Sequence, residues 1–393
     1  MRCNTHFSKN DVELPDRSYY CSNCIALGRV TSSDFLYHLP EPHWFEQVSN
    51  PLVFEGQLTD LQNKLAQQVI DVINTHQSLL LWAVTGAGKT EMMFPGLNSA
   101  FNKGLRVCWA TPRVDVVMEL APRLKKVFPT VSLAVLYGEM TAPYTYTQFV
   151  ICTTHQLWRF YEAFDVLIID EVDSFPYTGD VSLEFGADQA VNKESSRIYL
   201  SATPADELTK KVKVAYLPQR FHGHPLPVPK TVYLEWRPKL TRNQLARKLK
   251  KEIAKGLRNH ERYLIFVSEI RLLPKFVKAF QRDFPNVTCQ AVAASDPKRM
   301  QKVQDFRSGE TTVLFTTTIL ERGVTIFHIN VLVVGAESRV FNWSSLVQIA
   351  GRAGRAADHY EDRVIFYFSA YTKEIKKAVR QIKHLNHLAG FDD

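Results

Sequence analysis

Twelve short apolar runs punctuate this chain and limit what it can fold into. Six lie in the first half: SLLLWAV, RVCWAT, SLAVLY, FVICTT, VLIID and RIYLSAT. Six more follow: TVYLEW, RYLIFVS, VTCQAVA, TVLFTT, VLVVG and RVIFYF. Most are continuous rather than alternating, as in strands buried on both faces of a parallel sheet flanked by helices. Longer helical patterns separate them. The pattern occurs twice, which predicts two α/β domains in tandem. Four prolines in LPQRFHGHPLPVPK (217–230) mark the linker. We therefore expect domains over 51–220 and 221–393. Residues 1–50 differ in composition and read as a small separate cysteine-containing module.

A chain of 393 residues can bury two or three cores. Its net charge of +8 suits a polyanionic partner such as nucleic acid, although a merely basic soluble protein would share it. No secretory h-region precedes the first domain, and no apolar run is long enough to span a bilayer. The expectation is a cytoplasmic protein whose membrane association, if any, is peripheral. Two helical stretches, 241–262 and 372–390, are basic on one side. Leu245, Leu249, Ile253 and Leu257 share one face of the first. Ile375, Val379, Ile382 and Leu385 share one face of the second. The basic side of each reads as a solvated face, with a DNA-facing role as the weaker reading. Cys108, Cys152 and Cys289 sit in apolar contexts and read as reduced core residues.

AVTGAGKT (83–90) directly follows the first apolar run. In such a loop Thr85, Gly86, Ala87 and Gly88 wrap phosphates with backbone N–H groups. Lys89 reaches the β- and γ-phosphates, and the Thr90 hydroxyl ligates Mg²⁺ as a helix begins. Ala83 replaces the motif's first glycine, and Pro95 should kink the helix that follows. VLIIDEVD (166–173) ends an apolar strand in two carboxylates. Asp170 would hold Mg²⁺ through water, and Glu171 would orient and deprotonate the attacking water. Gln62 has two compatible readings. Its amide can read the adenine edge, or it can close a capping box with Thr59.

QIAGRAGR (348–355) places Arg352 and Arg355 three residues apart. At that spacing two guanidiniums can reach a γ-phosphate across a cleft. ATPRVDVV, CTTHQL, LSATP, LIFVS and FTTTILERGVTI end predicted strands, in the order of a superfamily 2 helicase core. The chain resembles that group, which implies two RecA-like domains with ATP between them. By that resemblance Ser201, Thr203 and Gln348 couple hydrolysis to domain motion. Thr111, Arg113, Thr154 and Thr317 match positions that usually touch the nucleic-acid backbone. Hydroxyls and guanidiniums suit phosphate oxygens whatever the base sequence.

GQLTDLQ, AVTGAGKTEM, TTHQL, FDVLIIDEVDSFPY, RFHG, TTILERGVT and QIAGRAGR together resemble one family, the ComFA late competence ATPases of transformable Gram-positive bacteria. The resemblance spans essentially the whole chain. It implies an ATPase stimulated by single-stranded DNA, working at the inner face of the membrane during DNA import. Implied partners are the ComEC channel, ComFC and DprA. It also implies a four-cysteine zinc site before the motor. Cys21 and Cys24 form the second CxxC pair, and Cys3 survives from the first. A chain that begins too late, His6 as a substitute ligand, and an unmetallated remnant all remain open. Three other readings fit the residues less well. A replication-restart helicase resembling PriA would need a longer DNA-binding region before the motor. A non-catalytic DNA-binding scaffold would not need Lys89, Asp170, Glu171, Arg352 and Arg355. A P-loop kinase would not explain the second α/β domain.

Overall fold

The computed structural model describes residues 2–42, 45–138, 143–322, 326–356 and 360–391. It divides into two compact units. One comprises Met1–Ala83 and Gly88–Leu217, the other Val84–Ala87 and Pro218–Asp393.

The first unit is built on seven strands: β1 (Ser78–Ala83), β2 (Val107–Thr111), β3 (Leu133–Leu136), β4 (Phe149–Thr153), β5 (Phe164–Asp170), β6 (Val191–Ser201) and β7 (Lys213–Leu217). They run in the order β3-β4-β2-β5-β6-β1-β7, every adjacent pair parallel. The strands β2, β4 and β5 are buried at every position, which is why their sequences do not alternate. Only β7 escaped the sequence reading. It lies at the edge of the sheet, with Lys213 and Tyr216 exposed, and its apolar stretch, VAYL, is short.

The second unit carries β8 (Lys230–Tyr233), β9 (Arg262–Val267), β10 (Cys289–Val292), β11 (Val313–Thr316), β12 (Ile329–Val334) and β13 (Val364–Phe368). Their order is β10-β11-β9-β12-β13-β8, again all parallel. Both domains thus have the RecA-like, parallel-sheet architecture expected.

Three local details refine the expectations. Pro95 breaks the helix rather than bending it: Lys89–Met92 ends, and Phe94–Asn102 begins with the proline in its first turn, where no N–H is needed. The helix expected over 241–262 is shorter. A turn at Arg237–Leu240 precedes it, Asn243 adopts a left-handed backbone, and the helix proper covers Arg247–Arg258. Its Leu249 and Ile253 are fully buried, while its lysines and arginines point outward. The second basic helix, Lys373–Leu388, forms as expected, with Ile375, Ile382 and Leu385 inside.

Residues before 50 pack on the first unit rather than standing apart. Among the described residues they hold two short 3-10 turns and two antiparallel bridges. Asn23 Nδ2 donates to Ser182 Oγ at 3.0 Å. Arg106, just before β2, is buried and donates to the Glu41 carboxylate, the Tyr144 hydroxyl and, at 3.1 Å, the Thr147 carbonyl. This buried guanidinium pins the N-terminal segment to the sheet. Among the described residues no helix is long and apolar enough to cross a membrane.

The two faces of Arg247–Arg258 generate a simple contrast. Leu249→Ala should cost about 2–5 kcal/mol, because it opens a cavity. Lys251→Ala should stay within about 0.5 kcal/mol, because its ammonium is solvated. Urea unfolding of both variants measures this, and equal effects would contradict the assignment of faces.

Candidate nucleotide site

β1 leads into the phosphate-loop sequence, where Gly86 and Gly88 take left-handed φ values of 79° and 73°. Gly88 stands directly before the helix Lys89–Met92. A side chain there would be strained, and its Cβ would come within 2.5 Å of Gln62 Nε2. Thr85 and Ala87 are buried, whereas Lys89 and Thr90 are half-buried. Gln62 is buried and closes the capping box. Its Oε1 accepts from the Thr59 N–H at 2.8 Å, and its own N–H donates to Thr59 Oγ1 at 3.3 Å. The same side chain therefore caps a helix and lies against the loop.

β5 delivers Asp170 to the end of the sheet where β1 delivers the loop. Burial pushes the Asp170 carboxyl up to about 6. The Lys89 charge opposes that rise, and the Glu171 charge adds to it. The Glu171 N–H donates to Asp170 Oδ1 at 2.8 Å. Glu171 holds a φ of 53°, unfavourable for a side chain of its size, and the Ser174 hydroxyl donates to its Oε2 at 3.3 Å. Asp173 was not singled out from sequence. Its two oxygens accept from Ser201 Oγ and Thr203 Oγ1, each at 2.6 Å, and the Thr203 N–H donates to Ser201 Oγ at 2.9 Å. Because β5 and β6 are adjacent, this carboxylate ties the two motif ends together. The signal was present as a third acid in DEVD, but its partners lie on another strand.

The proposed strand-contacting residues are placed unevenly. Thr111 and Thr154 are fully buried and do not reach the surface, and among the described residues neither hydroxyl finds a hydrogen-bond partner. Arg113 is half-buried, 3.7 Å from Asp115. In the second unit, Thr317 is half-buried beyond the end of β11.

The second unit presents the arginine motif after the helix Trp343–Ala350, whose start is capped by Asn342 accepting from the Ser345 N–H at 2.8 Å. Gln348 and Arg352 are buried, and Arg352 Nε donates to the Glu321 carbonyl at 3.0 Å. Arg355 is half-buried and donates through Nε to the Gly351 carbonyl at 3.1 Å. The Ser345 hydroxyl donates to Glu321 Oε2 at 2.6 Å, joining the TTILERGVT segment to this helix. Residues 323–325 of that segment lie outside the described residues. Arg220 of the RFHG stretch is also buried and donates to the Gly351, Ala353 and Gly354 carbonyls. Sequence reasoning placed it in a linker and assigned it nothing.

Cys3, Cys21 and Cys24 converge, their sulfurs all within 4.8 Å of one another. Burial pushes the Cys24 thiol well up. Burial also opposes ionisation of Cys3, but its hydrogen bonds with Thr5 and the neighbouring cysteines draw that thiol below its ordinary value. His6 is exposed and is not one of the clustered ligands. Among the described residues the cluster offers three thiol ligands, which fit three corners of a tetrahedral zinc.

Two family signatures match this chain: "Type III restriction enzyme, res subunit" over residues 55–206 and "Helicase conserved C-terminal domain" over 244–357. Among solved structures, S. cerevisiae Dbp5 bound to RNA and ADP BeF3 superposes with a TM-score of 0.60 at 16% identity, covering 82% of this chain and 87% of that one. Mycobacterium smegmatis helicase Lhr bound to ssDNA and AMP-PNP gives 0.61 at 17% identity, covering 84% and 50%. These likenesses establish the helicase fold. The competence protein ComFA of Bacillus subtilis is 43% identical over 379 residues, 94% of this chain and 81% of that protein. ComFA of Streptococcus pneumoniae is 40% identical over 396 residues, 99% and 90%. With its two parallel-sheet domains, both helicase signatures and near full-length identity to these proteins, the chain belongs to the ComFA family of superfamily 2 helicase-like competence proteins.

Proposed function

We propose that this chain is an ATP-driven motor that moves along single-stranded DNA and serves DNA uptake in natural transformation. The observation that carries the reading is the alignment of the phosphate loop, the Asp170–Glu171 pair and the Asp173–Ser201–Thr203 triad along one end of a helicase-type sheet. Lys89 holds the β- and γ-phosphates, and the backbone from Thr85 to Gly88 wraps them. Thr90 and Asp170 would hold Mg²⁺, which neutralises phosphate charge when bound. Glu171 aligns water and accepts its proton, with Ser174 orienting the carboxylate. Arg352 and Arg355 stabilise charge on the transferred phosphoryl group. Asp173 transmits the state of the Asp170–Glu171 strand end to Ser201 and Thr203. Gln62 contributes to adenine recognition through the amide that also caps its helix.

Arg113 and Thr317 grip the nucleic-acid backbone without reading bases. Thr111 and Thr154 shape the strand ends beneath that surface. Cys3, Cys21 and Cys24 would hold zinc, which supplies a structural crosslink when bound. In the proposed setting the protein is cytoplasmic and peripheral at the inner face of the membrane, with the ComEC channel, ComFC and DprA as partners.

Glu171→Gln should preserve ATP binding while abolishing turnover, because an amide cannot take the water's proton. Nucleotide titration and phosphate release measure the two quantities separately. Near-normal turnover would assign the base elsewhere.

Asp170 supplies a second prediction. Its folded pKa, about 6, lies above the ordinary 3.8. Above that value the ionised carboxylate destabilises the fold; the cost shrinks as pH falls through it and is gone below the unfolded value of 3.8. In nucleotide-free protein at pH 7.5, Asp170→Asn should therefore raise unfolding free energy, by at most about 3 kcal/mol, while stopping hydrolysis. Loss of stability in that variant would refute the desolvation account.

Single-stranded DNA should stimulate hydrolysis more than duplex DNA or RNA does, and its binding should weaken steeply with salt. Phosphate-release assays on the three polymers decide this. Equal stimulation by RNA, or none by any polymer, would remove the DNA-import assignment and leave a helicase-like ATPase.

A further inference from the structure

We infer that Arg220 is a positioning residue for the arginine motif: its guanidinium braces the backbone turn from which Arg352 and Arg355 project. The side chain is 2% exposed. Nη2 donates to the Gly351 carbonyl at 3.2 Å and to the Ala353 carbonyl at 2.9 Å. Nη1 donates to the Gly354 carbonyl, which His222 Nε2 also meets at 3.2 Å. From the other side, buried Asp362 accepts from the Gly354 N–H at 2.9 Å. Arg220 thus takes the carbonyls of the turn and Asp362 takes its amide.

The chemistry of the turn explains why a guanidinium sits there. The helix Trp343–Ala350 ends at this point, and its last carbonyls carry the negative end of the helix dipole. Gly354 follows with a left-handed φ of 62°. A Cβ on it would lie 2.6 Å from the Tyr360 carbonyl and 3.1 Å from Arg220 Nη1, so the brace fits a bare backbone. A planar fork can serve three carbonyls at once, whereas an ammonium on a flexible stem is a single point of charge.

One acceptor links the brace to the chemistry. Gly351 O receives both Arg220 Nη2 and Arg355 Nε, the latter at 3.1 Å. Two guanidiniums therefore converge on one carbonyl. Burial, and next the Arg355 charge, depress Arg220 to about 9. Arg355 rests beside a buried like charge, and moving its guanidinium onto a phosphate relieves that repulsion. Arg220 acts through Arg355 and touches no reacting atom. This kinetic part rests on the motor reading above; the bracing itself does not.

The full chain is tested as Arg220→Lys and Arg220→Gln, each alone and combined with Arg355→Ala. ATP turnover and KM are measured with single-stranded DNA, and amide hydrogen exchange is followed across 351–356. In the otherwise unaltered chain, Arg220→Lys should lower kcat by about 10–100-fold and change KM for ATP by less than about threefold. Combined with Arg355→Ala, the further loss should shrink below about threefold, because the two residues act as one unit. Exchange at 351–356 should accelerate by about tenfold or more, as local opening becomes easier. Should Arg220→Gln fail to fold, Arg220→Lys, which keeps the charge and loses the fork, decides the matter. Equal fold-losses in both backgrounds, full activity in Arg220→Lys, or unchanged exchange at 351–356 would overturn the inference. Normal turnover in Arg355→Ala would instead overturn the arginine's role in the motor reading. Exchange in the Arg220 variants would still decide the brace.

Discussion

In both sheets each strand hydrogen-bonds a neighbour running the same way. Parallel neighbours cannot be joined by a tight hairpin, so every connection must cross back over a face. All strands then finish at one end of their sheet. The phosphate loop after β1, the carboxylates at the end of β5 and the hydroxyls at the end of β6 come together for that reason alone. Adjacency of β5 and β6 does the rest, by bringing Asp173 within reach of Ser201 and Thr203.

That convergence carries an energetic penalty at its centre. Asp170 is taken out of water, and Glu171 is held in a backbone region that large side chains avoid. Neither feature helps the nucleotide-free chain fold. Both are affordable because the surrounding strands are buried along their whole length and over-determine the geometry. The second unit meets a different difficulty, a buried guanidinium, and solves it with backbone carbonyls and a carboxylate across the turn.

Much of this was legible before any coordinates. Strands buried on both faces announce themselves as apolar runs, whereas the short VAYL stretch of β7, at the edge of its sheet, was missed. The phosphate loop and the DE pair are contiguous in sequence, so spacing exposes them. Asp173 and Arg220 were not legible as site residues, since their partners lie 28 and 131 or more residues away along the chain. A buried arginine among prolines looks like a solvated linker residue until its acceptors are known. The hydroxyls of Thr111 and Thr154 show the converse. Motif order predicts where a strand ends, and it is silent on whether the last side chain turns inward.

The placement of β1 has a consequence for how the first unit is made. This strand pairs only with β6 and β7, the last two strands of its unit to be synthesised. A chain emerging from the ribosome exposes Leu79, Leu80 and Leu81 long before either neighbour exists. The neighbouring strands β2, β4 and β5 can assemble among themselves meanwhile. The strand that bears the phosphate loop is therefore translated first among the strands of its sheet, while both of its hydrogen-bonding neighbours come last.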